Sequence, residues 1–551
     1  MVSGPVVYQN NPQVIAERAE RYFAAVESDS VDAWLFFTDK GVFDRATFAA
    51  CAQSVALTER AQHRRAKVGR DHVVFADMPV LHDYVSAVKA LGGRLRVTSR
   101  WLNAASFRLA KTDLPRVAAL PCVAEIEPVA VFHRPAEQTA PPSTVQDTSE
   151  KASLSTTAID YGDAQYQLEQ LNVPPLHEKG YSGAGVTLTI IDTGFRKTHH
   201  AFAQHFADGR VLAEYDFVNN DGNTDNEGSD PVAQRLHGTS VWSLAGGRDD
   251  GVFYGPAYDA NFILCKTEDV SDEYQQEEDN WVAAVEYADS IGTDVIETSL
   301  GYTAWYEYSD YDGHTAVMSI AAGTCDSLGI VLVNSMGNYG PADSTLSPPS
   351  DAFGVLSVGA VDIHGYIWSQ SSRGPTADGR LKPDVCARGS GTYFAQGYDD
   401  DTYGQGYGTS YASPLVAGIA CLLIEAHPDW TPSQVREAIR LSGDNYEAPN
   451  NTYGWGVPDA ALADSLTPEC CLGVVGDANG DGRDLPTIGD VSTLIDYLYI
   501  TQIPPVCYGE ADVDLSGSLR PTLGDIALSD VMELVEHMFV LDTPPPDCLA
   551  R

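Results

Sequence analysis

The chain has 551 residues, is 44% hydrophobic and 20% charged, and carries a formal net charge of −43. That apolar content is ordinary for globular protein and supplies sizeable cores, and the length suits about two to four domains. Charge of this sign excludes nucleic acid as the expected partner, and no apolar run reaches the roughly 18 residues expected of a membrane-spanning helix.

The charge is unevenly divided. Residues 1–135 hold 17 Lys and Arg against 14 Asp and Glu, whereas the remainder holds 17 against 63. This split predicts a basic N-terminal part seated on an acidic body. The start, MVSGPVVYQNN, shows no positive segment followed by an apolar one, so no signal peptide is visible in the chain.

After an N-terminal segment at 1–30, residues 31–132 read as a small α+β unit. VDAWLFFTD has a strand pattern, ATFAACAQSVALTERAQHRR has helical spacing, and HDYVSAVKALGG is a second helix stopped by glycines. RLRVTSRWLNAASFRLA is β-like, and CVAEIEPVAVF is a final strand. Residues 133–158 are rich in Pro, Ser, Thr and Ala, which predicts an exposed linker open to cleavage.

Over 159–467 strand and helix alternate. GVTLTIID, FILCKT, DVIETSL, GIVLVNSM and FGVLSVGA are apolar strands, with helical stretches such as WVAAVEYADSIG between some of them. The pattern predicts an α/β fold with a mostly parallel sheet covered by helices on both faces. Active groups then gather at the carboxyl ends of strands, where Asp192 stands directly after VTLTII.

The tail, 468–551, repeats. GDANGDGRDLPTIGDV and EADVDLSGSLRPTLGDI align from Asp477 to Asp512, each followed by an amphipathic helix. Six of the ten cysteines lie in the first 421 residues, mostly in apolar settings, and read as buried small hydrophobes. Cys470, Cys471, Cys507 and Cys548 bracket the tail and predict two disulfides, with three pairings open, in an oxidising compartment.

A serine hydroxyl is a poor nucleophile unless a base lies within hydrogen-bond reach and a carboxylate orients that base. Asp192 in IIDTGF, His237 in RLHGTS and Ser410 in GYGTSYASPLVAG supply the three groups. Their chain order, Asp, His, Ser, is one of three unrelated orders in which such triads occur. The run after Ser410 turns helical at once, which sets its hydroxyl at a positive helix end. His237 likewise opens an apolar helix. No G-x-S-x-G elbow is present, which removes the α/β-hydrolase alternative. His199 and His200 are not needed for this chemistry and read as local structure, and the acidic loop NTDNEGSD at 223–230 has no metal-ligand spacing.

DTG, HGT and GTSxASPxVAG, with SLG at 299–301 and GN at 337–338, resemble the subtilisin family of serine peptidases over about 290 residues. The resemblance implies a subtilisin-like fold in which Asp192 orients the imidazole, His237 is the general acid and base, and Ser410 is the nucleophile. Asn338 then donates to the developing oxyanion together with the Ser410 N–H. Ser299, Leu300 and Gly301, with Asn334, Ser335 and Met336, would line the primary pocket and pair with an extended protein or peptide substrate; Met336 would make that pocket roomy and apolar. The chain departs from common family residues at Ser240, Arg388, Tyr411 and Leu415, none of them a catalytic group. A catalytically dead scaffold is the alternative reading; such copies usually lose a triad member or the oxyanion Asn, and all four are present here.

Residues 31–132 resemble the family's inhibitory propeptide, a ferredoxin-like α+β domain, which implies self-cleavage between about Phe132 and Ser155. The tail resembles dockerin modules, small helical relatives of the EF-hand. That resemblance implies Ca²⁺ at Asp477, Asn479, Asp481 and Asp490 in the first loop, and at Asp512, Asp514, Ser516 and Asp525 in the second. Loop spacing favours Asp525 in the second loop, while helix alignment offers Asp530 instead. A dockerin would bind a cohesin-like or cell-surface partner, and the whole implies a secreted protein with no cofactor for catalysis.

Overall fold

The computed structural model describes residues 14–55, 57–70, 73–130, 159–228, 230–270, 277–303, 305–466, 475–478, 486–499, 505, 507–516, 526–541 and 545. The linker expected at 133–158 lies outside them.

The N-terminal unit is a four-stranded antiparallel sheet of β1 (Ser30–Phe37), β2 (Arg94–Ser99), β3 (Ala104–Ala110) and β4 (Val123–Pro128), in the order β2-β3-β1-β4. Strand period 2 sends alternate residues of β1 to opposite faces. Val31, Ala33, Leu35 and Phe37 join the unit's own core with Phe23 of α1 (Glu17–Ala25) and Val88 of α4 (His82–Ala90). Trp34 and Phe36 point the other way, into a core shared with the larger domain. The helical spacing expected over 46–65 resolves into two helices, α2 (Arg45–Ala52) and α3 (Glu59–Ala66). Each has its own N-cap, with Asp44 accepting from Thr47 N and Thr58 accepting from Ala61 N. α4 ends at Ala90 and is capped at Leu91, followed by Gly92 at φ +96°, a left-handed conformation that favours glycine.

The larger domain is built on a seven-stranded, wholly parallel sheet. Its strands are β5 (Thr187–Asp192), β6 (Val211–Asp216), β7 (Asn261–Lys266), β8 (Val295–Thr298), β9 (Val331–Ser335), β10 (Val355–Val361) and β11 (Val385–Arg388). Their order is β11-β10-β9-β8-β5-β7-β6, so the five strands read from sequence are flanked by two edges, β6 and β11, that the apolar pattern did not announce. On one face lie α5 (Leu236–Gly246) and α8 (Ser413–Ala426), packed on Leu188 and Ile190. On the other lie α6 (Glu277–Ile291) and α7 (Val317–Ser327), packed on Ile191, Ile263 and Cys265. Residues 409–426 are apolar enough to cross a membrane by length and composition, but 89% of them are buried here, as a core helix.

The N-terminal sheet sits on α6 and α7. Apolar contact from Trp34, Phe36, Leu102 and Val129 with Trp281, Val285 and Met318 is ringed by ion pairs that join the basic unit to the acidic body. Asp289 of α6 takes Arg64, Arg65 and Arg100, the last at 3.0 Å, and Asp279 takes Arg96 at 2.8 Å. Glu278, fully buried at the start of α6, accepts from Ala130 N at 2.9 Å, Trp34 Nε1 at 3.3 Å and the Tyr306 hydroxyl at 2.7 Å. Burial pushes its carboxyl up to about 7, against the pull of those donors.

In the tail, α9 (Ile488–Tyr499) and α10 (Leu528–Glu536) share a small core of Val475, Leu494, Val513, Ile526 and Leu534. Cys507 is disulfide-bonded. Cys470, Cys471 and Cys548 fall outside the described residues, and the six upstream cysteines are free thiols.

Candidate active site

Asp192 closes β5, and its carboxylate is fully buried. It accepts from Thr193 N at 2.6 Å and meets His237 Nδ1 at 2.8 and 2.9 Å through its two oxygens. That contact fixes the imidazole with Nδ1 toward the carboxylate and Nε2 outward, the tautomer a general base requires. His237 stands in the first turn of α5, and Gly238 follows it because the helix meets β5 closely there: a Cβ on Gly238 would strike Gly194 O at 2.3 Å.

Ser410 sits in the short 3₁₀ turn Thr409–Tyr411 that leads into α8, with Pro414 in the first turn of that helix. This turn packs against α5, and the Tyr411 ring lies 6.2 Å from the His237 imidazole, centroid to centroid. Tyr411 is also stacked on Phe394 at 4.4 Å, so the aromatic at this position braces the turn that carries Ser410.

Asn338, after β9, is oriented by the same turn: its Oδ1 accepts from Thr409 N and Thr409 Oγ1, both at 2.9 Å. The amide nitrogen is thereby turned away from Thr409. A point one carbon out from Gly408 lies 3.7 Å from Asn338 Nδ2 and 3.8 Å from Ser410 N, so both nitrogens flank one place beside Ser410. That is the arrangement that can stabilise negative charge on a carbonyl oxygen.

The expected pocket residues fall at the ends of β8 and β9. Ser299 Oγ bonds Glu297 Oε1 at 2.6 Å and Ser410 O at 3.1 Å. Asn334 uses its Nδ2 on Ser335 O and Ser350 Oγ, a structural role. Leu300 and Met336 belong to the apolar core under α6 and α7, and Met336 is fully buried. Gly301 is buried as well, and a Cβ there would collide with Ser347 Oγ. The spacing of the chain missed Glu297 and Ser347, which earn notice only once the strand ends are brought together.

The departures from common family residues have plain packing roles. Ser240 Oγ bonds Ala395 O and Leu236 O at 3.1 Å, Arg388 Nη2 donates to Gly391 O, and Leu415 is fully buried. His199 bonds Thr402 O and accepts from Ala201 N, the local structural part expected of it. The acidic loop at 223–230 is tied inward by Asp225 to Arg235 and Asp230 to Lys266.

In the tail, Asp512, Asp514 and Asp530 bring carboxylate oxygens within 4.8 Å of one another. Ser516 bonds Asp512 at 3.3 Å through its hydroxyl. Burial, with Asp514 and Asp512 beside it, raises the Asp530 carboxyl to about 6. Asp530 accepts from Ala527 N at 2.7 Å, as Asp490 accepts from Thr487 N at 2.6 Å, so these two hold equivalent places at the starts of α9 and α10. The helix alignment thus places Asp530 with Asp512 and Asp514. Asn479, Asp481 and Asp525 lie outside the described residues. Asp477 is described, and its N–H donates to Glu510 Oε2 at 3.3 Å.

The subtilase family profile matches residues 183–456, and that of the peptidase S8 propeptide domain of Bacteroidota matches residues 32–145. Subtilisin-like protease SBT6.1 of Arabidopsis thaliana is 33% identical over 291 residues, 49% of this chain but 25% of that protein. Subtilisin DY of Bacillus licheniformis is 31% identical over 285 residues, 51% of this chain and 91% of that protein. Fervidolysin from Fervidobacterium pennivorans, a keratinolytic enzyme related to subtilisin, shares the fold at a TM-score of 0.58 and 21% identity, over 82% of this chain and 64% of that one. The chain thus spans only a quarter of its plant relative but nearly all of a bacterial one, and it belongs to the subtilase family of serine endopeptidases, with an N-terminal propeptide.

Proposed function

We propose that this chain is a secreted, self-processing serine endopeptidase in which Asp192, His237 and Ser410 form the triad and the tail is a calcium-dependent docking module. The observation that carries the catalytic part is the pair of contacts from the buried Asp192 carboxylate to His237 Nδ1, with two nitrogens, Asn338 Nδ2 and Ser410 N, flanking one place beside Ser410. His237 Nε2 takes the Ser410 hydroxyl proton as Oγ attacks the scissile carbonyl, and Asp192 stabilises the imidazolium. The oxyanion is held by Asn338 Nδ2 and Ser410 N. The imidazolium then gives its proton to the leaving amine, and water, activated by the same histidine, releases the acyl group.

The propeptide covers α6 and α7 and runs through Ala130 toward the cleavage region, which supports a zymogen cut within 133–155. Expression of the Ser410→Ala chain tests this. One uncut, inactive chain is expected, and processing at the normal rate in that variant would overturn self-cleavage.

For the tail, the Asp512, Asp514 and Asp530 carboxylates with Ser516 suit a hard divalent cation, and Ca²⁺ there would tie the second loop to α10. Exposed Ile488, Tyr499, Leu528 and Met532 on the two helices, with Phe539 just after the second, support a protein partner of the cohesin or cell-surface kind. The Cys507 disulfide supports secretion. Calcium calorimetry on the full chain, with Asp530→Asn as control, tests the site; no heat in either would defeat it.

A further inference from the structure

Glu297 is a fully buried acid one strand away from Asp192, and the reaction as described makes no use of it. It lies on β8 opposite Ile190 of β5 and Val333 of β9. By strand period it shares a face with Ser299, and Asp192 follows Ile190 on that same face. Its Oε1 is 2.6 Å from Ser299 Oγ, and Ser299 Oγ is 3.1 Å from the carbonyl oxygen of Ser410. Ser410 Oγ lies 3.5 Å from Ser299 O, so the nucleophile and Ser299 are tied in both directions.

The chemistry of that chain of contacts is constrained by proton count. A hydroxyl has one hydrogen to donate. If Glu297 were ionised, its oxygen and Ser410 O would both be acceptors, and Ser299 could serve only one of them. A protonated Glu297 removes the conflict, because it donates to Ser299 Oγ, which donates to Ser410 O. The 2.6 Å separation is that of a strong O–H···O bond.

We infer that Glu297 is a positioning residue, held as a neutral acid that fixes the Ser410 peptide through Ser299. This rests on Ser410 being the nucleophile. The same peptide presents the Ser410 N–H, so the relay sets the oxyanion donor as well as the hydroxyl. The surroundings favour the neutral form. Oγ of Ser413, on α8, is the other hydroxyl beside the Glu297 carboxyl, and its pull toward the ionised form is smaller than the opposing effect of burial. The charged or titratable groups that face Glu297 are Asp192 of β5 and His237 of α5, while β9 offers Val333 and α8 offers Ser413. Burial, with the Asp192 charge adding to it, raises the carboxyl to about 8 against the opposing bond from Ser299. Asp192, by contrast, has a backbone N–H and the imidazole as donors.

Loss of the Glu297 proton on the alkaline side would draw the Ser299 hydrogen to the carboxylate and release Ser410 O. The test is the pH dependence of peptide hydrolysis by the processed chain, with Glu297→Gln and Ser299→Ala. The wild type is expected to lose kcat through one ionisation near pH 8, with KM little moved. Glu297→Gln, which keeps a donor and cannot ionise, is expected to lose that alkaline limb. Ser299→Ala should lower kcat roughly three- to tenfold at neutral pH, the effect of one lost hydrogen bond. An unchanged alkaline limb in Glu297→Gln would overturn the inference.

Infrared spectra of the full-length Ser410→Ala chain give a readout that does not require activity. The difference between the spectra of the Ser410→Ala chain and the Ser410→Ala/Glu297→Gln chain is expected to hold one protonated carboxylic acid band at pH 6, lost by pH 10, because Glu278, raised to about 7, and Glu127, raised to about 8, contribute equally to both and cancel. Absence of that difference band at pH 6 would overturn the inference even if no variant can be processed. If the band is present and no variant hydrolyses peptide, it is the serine peptidase reading that fails.

Discussion

Asp289 is the hub through which the propeptide grips the peptidase, and its removal should loosen that grip by a calculable amount. In the docked state the carboxylate is fully buried and receives Arg64 Nη2, Arg65 Nη2 at 2.6 Å and Arg100 Nη2 at 3.0 Å. Without it, Arg65 keeps Asp77 at 2.8 and 2.9 Å, and Arg100 keeps the Glu286 backbone oxygen at 3.2 Å. Arg64 is left with only the carbonyls of Leu328 and Thr293, at 3.0 and 2.7 Å, around a buried cation. An uncompensated buried charge costs about 3–5 kcal/mol. At about 1.4 kcal/mol per decade that is a roughly 100- to 4,000-fold weaker propeptide complex for Asp289→Ala. Once the propeptide leaves, α6 is open to water, so the mature enzyme should change by less than about 0.5 kcal/mol. The assay is serial dilution of the processed complex, with recovery of hydrolysis of a fluorogenic peptide read against concentration. Recovery within threefold of wild type at every dilution, with the mature enzyme equally stable, would refute the buried-charge reasoning.

Asn338→Leu should lower kcat roughly 10²- to 10³-fold with KM little changed in a peptide hydrolysis assay; that magnitude is the loss measured for such a donor in a bacterial subtilisin and is not worked from this structure. Docking should also respond to pH through Glu278. Its carboxyl is raised to about 7 in the docked state, so the docked form is favoured below the ordinary glutamate value and loses that advantage as pH rises through about 7. The propeptide should therefore bind at least roughly tenfold more weakly at pH 9 than at pH 5, and Glu278→Gln should flatten the difference in the same dilution assay. In the tail, Ca²⁺ at 100 times its Kd should stabilise the module by about 2.7 kcal/mol in thermal unfolding. The gain should shrink below about pH 6, where Asp530 takes up a proton, and vanish in Asp530→Asn.

Much of this was legible in the sequence because the informative residues are local. Asp192 ends an apolar strand, His237 and Ser410 each open a helix, and Asn338 follows a strand, so glycine-rich phrases marked all four strand or helix ends. The basic N-terminal unit and acidic body were visible as a charge split, and Arg64, Arg65 and Arg100 now meet Asp289 across the interface. What was not legible depends on contacts between distant segments. The edge strands Val211–Asp216 and Val385–Arg388 have a polar or short pattern and are recruited by register with their neighbours. Met336 read as a pocket wall by position, yet the side chain is claimed by the core beneath α6 and α7. In the tail, Asp530 stands beside Asp512 and Asp514 through the packing of the two helices, a contact that loop spacing alone did not announce, while Asp525 lies outside the described residues. Glu297 looked like one polar residue in a buried strand, and its relation to Ser410 runs through Ser299.

The most direct test of the account is labelling of the processed chain with a fluorophosphonate, followed by peptide mapping. One adduct is expected, on Ser410, formed in step with loss of peptide hydrolysis, and none in Ser410→Ala or His237→Ala. A processed, folded chain that hydrolyses peptide while Ser410 stays unlabelled would contradict it.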